Sequence, residues 1–178
     1  MEEQQMKSLK LFVSVTTMCI LVGASSTAMA VGCPGGAIEN KTVAEITVDG
    51  RSCFINEVIV QGNVSVTDSE DLIMIKNEVQ GDIRVIGGRN ATLVANTTKV
   101  GNIVVSRNED ATLALNVAAQ TIRVNGNGGK AIVKRNAAPL IVCRNNDRLD
   151  AFENEAAELR CRSLGGGLGG GLGPFGGF

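Results

Sequence analysis

An asparagine returns about once every twenty residues along the middle of this chain. Asn56, Asn77, Asn96, Asn116 and Asn136 stand 21, 19, 20 and 20 positions apart. Each precedes a short linker and a strand-like run with apolar residues two apart: Val64/Val66, Ile83/Val85, Ile103/Val105, Ile122/Val124 and Ile141/Cys143. A unit this short cannot bury its own apolar face, so it must stack on its neighbours. Apolar residues two apart, bounded by Gly and Asn, make no helical stripe. The expectation is an all-β chain folded as a parallel β-helix, or solenoid, with coils of about twenty residues.

The repeats align as strand, polar turn, strand, Asn. Their strands are rich in Val, Ile and Thr, which suit closely spaced pleated rungs. Their turns carry Gly87-Gly88, Asn108-Glu109-Asp110, Asn125-Gly126-Asn127-Gly128 and Asn145-Asn146-Asp147, residue types that tolerate a left-handed backbone. Stacked at one corner, each recurring Asn amide can donate to the amide oxygen of the next rung and to a nearby carbonyl. Such a ladder over Asn56, Asn77, Asn96, Asn116 and Asn136 fixes a register that plain Val/Ile alternation leaves free to slip. That structural task weighs against reading these amides as ligand groups.

The open ends of a solenoid recruit other chains. Of the five cysteines, Cys19 falls in an apolar leader, which leaves Cys33, Cys53, Cys143 and Cys161. Cys33 and Cys53 are 20 residues apart, and Cys143 and Cys161 are 18 apart, each close to one turn. One turn later is one rung up, about 4.8 Å away, within the Cα separation a disulfide tolerates. A metal site built from all four would require the two ends of a rod to meet. The solenoid is therefore expected to be disulfide-capped at both ends. Phe54, two residues before Asn56, and Phe152, two before Asn154, are read as plugs over the two ends of the core.

Residues 1–30 read as a signal peptide. They hold a polar start with Lys7 and Lys10, an apolar run at 11–24, and Ala28-Met29-Ala30 before a mature N-terminus at Val31. The competing reading is an uncleaved anchor, but the run is shorter than the ~18–20 residues a span requires. After cleavage no transmembrane segment is expected. Residues 31–163 form the solenoid: an entering coil to about 57, regular coils from 58 to about 140, and a closing region from 141. Residues 164–178 (LGGGLGGGLGPFGGF) form a Gly/Leu-rich tail, read as a flexible spacer. Its Leu and Phe residues also allow self-association. Four exported cysteines place the protein in an oxidising compartment: secreted, periplasmic or on the cell surface.

Composition excludes several chemistries. Net charge is −1 with no basic block, so the electrostatic footprint of a nucleic-acid binder is missing. There is no His, which removes the commonest general base, the usual catalytic zinc ligand and the His-containing triads. No metal and no cofactor is expected. Trp and Tyr are absent, leaving only Phe for stacking on sugars.

The unit Gly81-Asp82-Ile83-Arg84-Val85, repeated as Gly101-Asn102-Ile103-Val104-Val105, resembles right-handed parallel β-helix proteins. It looks most like the small exported bacterial members whose last coils carry a Cys pair. The resemblance covers residues 45–162 and implies a right-handed coil. Most such small proteins have no assigned activity, while larger β-helices include pectate lyases, polygalacturonases, tailspikes and adhesins. The last repeats depart from the pattern, with Gln120-Thr121 and Pro139-Leu140 in place of the Gly-Asn pair.

Three functions follow for weighing. The first is a non-catalytic structural, adhesive or recognition rod of the envelope or extracellular space, with an envelope, matrix or polysaccharide component as partner. The second is a polysaccharide lyase or hydrolase using the polar turn row of Asp68, Glu70, Asp71, Arg89, Arg107, Glu109, Asp110, Asp147 and Arg148. Coils of this length leave no room for the insertions that wall a cleft, and alternating charges in stacked turns have a structural explanation. The third is a flat-face binder, but the outward residues of the first strand (Ser65, Arg84, Val104, Arg123 and Val142) form no Thr ladder and carry no ring. The sequence favours the rod, with no catalytic residue. Asn40, Asn63, Asn90 and Asn96 begin Asn-x-Ser/Thr sequons, relevant only in a eukaryotic secretory route.

Overall fold

Val- and Ile-rich runs bounded by turn residues pair with their counterparts one coil away, so every strand pairing among the described residues is parallel. A computed structural model describes residues 30–33 and 36–163. Residues 1–29, which hold most of the expected signal peptide, and 164–178, the expected tail, lie outside them. All strands join one 18-stranded sheet that winds through about seven turns, with no helix among the described residues.

Each full turn builds three walls. The first begins with strands Ala30–Gly32 and Glu45–Asp49, and the second with Ala37–Glu39 and Cys53–Asn56. The third is made of two-residue strands such as Thr42–Val43, Ile59–Val60 and Glu78–Val79. The long strands Val64–Ile75 and Ile83–Val94 each run through the first wall, round a corner and along the second.

Period-two alternation turns every second side chain inward, and the coil-to-coil register stacks like upon like. Ile46, Val64, Ile83, Ile103, Ile122 and Ile141 form one inward column of the first wall, each with no exposed area. Met74, Leu93 and Leu113 are stacked inward on the second wall. The β-branched columns fill the pleats of tightly spaced rungs, and the core is one continuous apolar column along the rod.

Two corners share one device. A residue with positive φ reverses the chain, and in the central coils the next side chain, such as Val58, Ser69, Asn77 or Asn108, is buried. Between the second and third walls that residue is Asn40, Glu57, Lys76, Ala95, Leu115, Arg135 or Glu153, all with φ between 50° and 59°. Between the first and second walls it is Gly50, Asp68, Gly87, Arg107, Gly126 or Asn145. Glycine is required most strictly at Gly88, where φ is 107° and a Cβ would fall onto the Ser69 carbonyl.

Both ends are stapled, by Cys33–Cys53 and by Cys143–Cys161. Cys143 and Cys161 are register partners on adjacent rungs, with Cα atoms 4.2 Å apart. The N-terminal bridge pairs the expected cysteines in a different geometry. The pairings Gly32↔Thr47 and Ala37↔Phe54 put Cys33 level with Val48 of the first wall and Cys53 above Gly36 of the second. This bridge crosses a corner, over a Cα separation of 5.8 Å, because the first coil is shorter than the others.

The phenylalanine plugs are corrected. Phe54 lies between inward Cys53 and Ile55, so alternation turns it outward, where it stacks between Ala37 and Ile73. Phe152 follows inward-facing Ala151 and is 47% exposed. Neither ring enters the core.

Candidate functional site

Three features of the described residues carry polar chemistry: asparagine ladders in the interior, a charged turn row, and the outer face of the first wall.

The main ladder runs through Asn77, Asn96, Asn116, Asn136 and Asn154. Each Nδ2 donates to the Oδ1 of the next Asn, at 2.8, 3.0, 3.0 and 3.1 Å along the stack. The second Nδ2 proton goes to an interior carbonyl, such as Met74 O at 3.0 Å from Asn96 or Leu93 O at 2.9 Å from Asn116. From Asn96 onward each Oδ1 also accepts the backbone N–H of the preceding Asn, as in Asn96 N to Asn116 Oδ1 at 3.0 Å. Asn77, Asn96, Asn116 and Asn136 are buried. An amide with both donors and its acceptor used inside the rod has nothing left for a ligand, and the Asn96 sequon is closed to modification.

Asn56 is not a member. Its register partner is Ile75, so it stands two residues before the ladder position, half-exposed on the outer second wall. Fully buried Val58 occupies that rung and gives its N–H to Asn77 Oδ1 at 2.9 Å. The spacing of 21 between Asn56 and Asn77, against a register offset of 19 between Asn56 and Ile75, is the signal of the mismatch.

A second ladder went unread in the sequence. Asn127 donates through Nδ2 to Asn146 Oδ1 at 2.7 Å, and Asn108 to Asn127 Oδ1 at 3.3 Å, at the corner between the first and second walls. All three are buried, and each directly follows a left-handed residue. The even spacing of Asn108, Asn127 and Asn146 could have found it, but their Gly- and Asp-rich surroundings read as exposed turns.

Two carboxylates of the turn row are engaged between rungs. Asp71 Oδ1 accepts from Asn90 Nδ2 at 2.6 Å, and Asp110 Oδ1 accepts the Lys130 N–H at 2.5 Å. Lys130 Nζ lies 2.9 Å from Asp150 Oδ2. Asp68 and Arg107 sit in the left-handed corner column, one rung to either side of Gly87. The arrangement staples one coil to the next. Among the described residues no group of three or more His, Cys, Asp or Glu is placed to hold a metal.

The outer first wall is organised differently. Ser65, Arg84, Val104, Arg123 and Val142 fall in one column, continued by Arg160. Beside them Asp82 Oδ1 accepts the Asn102 N–H at 2.7 Å. Asp82, Arg84, Asn102, Val104, Thr121 and Arg123 line an open depression of about 240 Å³.

Comparison with protein-family models, characterised proteins and solved structures found no match for this chain. No described helix is long and apolar enough to cross a membrane.

Proposed function

We propose that this protein is a non-catalytic exported rod: a structural, adhesive or recognition element of a cell envelope or the extracellular space, akin to small exported bacterial β-helices. The observation carrying this reading is how the turn-row carboxylates are used. Asp71 and Asp110 of that row each spend an oxygen on a bond between rungs. The disulfides at both ends suit an oxidising location outside the cytoplasm, and residues 1–30 supply the signal-peptide pattern for export. A rod with a solid interior exposes long columns of side chains at fixed intervals, which suits a surface that binds or spaces other molecules.

The test is fractionation of the exported protein with and without residues 164–178, alongside a sugar-release assay on acidic and neutral polysaccharides. Retention in an envelope or matrix fraction with no reducing or unsaturated sugar released is the expected result. Catalytic release abolished by Glu109→Gln with Asp110→Asn would overturn the reading.

A further inference from the structure

The outer column of the first wall alternates arginine with valine: Arg84, Val104, Arg123, Val142 and Arg160 occupy five successive rungs. Rungs of a sheet are about 4.8 Å apart, so the guanidinium groups recur at about 9.5 Å along the rod. Arg160 is paired with Glu158. Arg84 and Arg123 are exposed and take part in none of the salt bridges among the described residues. Repulsion between like charges on neighbouring rungs accounts for the alternation, but not for the choice of arginine. The outer column of the second wall manages the same stacking with neutral Thr92 and Thr112.

We infer that this face binds a linear acidic polysaccharide carrying one carboxylate per disaccharide, laid along the rod axis across Arg84 and Arg123. A pyranose in an extended, equatorially linked chain is about as long as one rung spacing, so a disaccharide spans two rungs and its carboxylates return in step with the arginines. Each guanidinium offers a planar fork that suits a carboxylate bidentately. Val104 between them gives an apolar seat for the C–H face of the intervening sugar. Along one side of the depression, Asp82, Asn102 and Thr121 place acceptors and donors where ring hydroxyls would lie.

Other polyanions have the wrong period. In an extended acidic peptide, side chains on one face recur every second residue, about 6.7 Å, or every fourth, about 13 Å. Phosphates along one strand of duplex DNA rise by about 3.4 Å each, and every third one, about 10 Å on, has turned around the duplex axis and off the line of the arginines. Neither falls in step with the arginine pair.

This inference rests on the rod reading and deepens it by naming the partner class. The test is equilibrium binding of the purified protein to hyaluronan, which bears one carboxylate per disaccharide. Dextran, poly-glutamate and single-stranded poly-dT serve as comparisons. Hyaluronan is expected to bind, with about ten-fold loss on Arg84→Gln or Arg123→Gln and an unchanged melting temperature. The decisive variant is Arg84→Gln with Val104→Arg, which keeps the net charge but moves the guanidinium one rung. It should bind as weakly as Arg84→Gln alone. Wild-type binding by that variant, equal or tighter binding of poly-glutamate or poly-dT, or no binding of hyaluronan would each overturn the inference. Cleavage of the bound polymer would instead overturn the non-catalytic reading and leave the arginine register standing.

Discussion

Replacing Asn116 with Ala tests whether the interior amides hold the rod together. The substitution removes four hydrogen bonds at once. Asn116 Oδ1 no longer accepts from Asn96 N or Asn96 Nδ2, each at 3.0 Å. Its Nδ2 no longer reaches Leu93 O at 2.9 Å or Asn136 Oδ1 at 3.0 Å. The partners are not equally harmed. Asn96 Nδ2 keeps its bond to Met74 O, and Asn136 Oδ1 keeps the N–H of residue 116. The buried Asn96 N–H loses its acceptor outright. An orphaned buried donor costs about 1–3 kcal/mol, and each remaining weakened bond adds up to about 1 kcal/mol. The expected destabilisation is about 3 kcal/mol, or a fall in melting temperature of about 10 °C for a domain of this size.

Circular dichroism melting gives that number, and amide hydrogen exchange should show the lost protection centred on Asn96. The matched control is Asn56→Ala, which removes an amide of the same type outside the ladder and should cost under about 0.5 kcal/mol. A melt within about 2 °C of wild type for Asn116→Ala, or an equal cost for Asn56→Ala, would refute the ladder argument.

Three further outcomes are expected. Non-reducing peptide mapping should recover only Cys33–Cys53 and Cys143–Cys161. Cys161→Ala should cost about 3 kcal/mol, with hydrogen exchange rising first in the last strand, Glu155–Ser163; early exchange in the central coils would contradict this. Gly88→Ala should destabilise by more than about 2 kcal/mol because its Cβ would overlap the Ser69 carbonyl, whereas Gly126→Asn, with open space around its Cβ and a φ of 64° close to the 53° of Asn145 in the same corner column, should cost under about 1 kcal/mol. Equal urea midpoints for these two variants would show that the backbone clash is not what selects glycine at position 88.

Much of the site description was readable because its signals are local. Apolar residues two apart in Ile83/Val85 and Ile103/Val105 set which side chains turn inward, and that parity already placed Arg84, Val104 and Arg123 on one outer column. The same parity, applied to Phe54 between Cys53 and Ile55, argued against a plug; the idea that a ring must close an open end overrode it. The continuation of the arginine–valine alternation to Arg160 needed the register, which sets Arg160 on the rung after Val142.

The sequence by itself determined that the chain stacks in coils of about twenty residues, that Cys143 pairs with Cys161, and that Asn77, Asn96, Asn116 and Asn136 recur at one position of the coil. These follow from two periods written along the chain, one of two residues and one of a full turn. Only the tertiary structure decided the phase of the terminal coils. The register offset is 15 residues between Ala30 and Glu45, 17 between Ala37 and Phe54, and 18 between Ile46 and Val64. It changes again from 19 at Thr98 to 20 at Ile103, where Val100 is 63% exposed at a corner. The short first offset sent one disulfide across a corner, while the offset of 19 between Ile59 and Glu78 put Val58, not Asn56, on the ladder rung. A residue gained or lost at a corner leaves the alternation within each strand intact, so no local pattern records it. Hydrogen bonds between rungs some twenty residues apart decide where the coil closes.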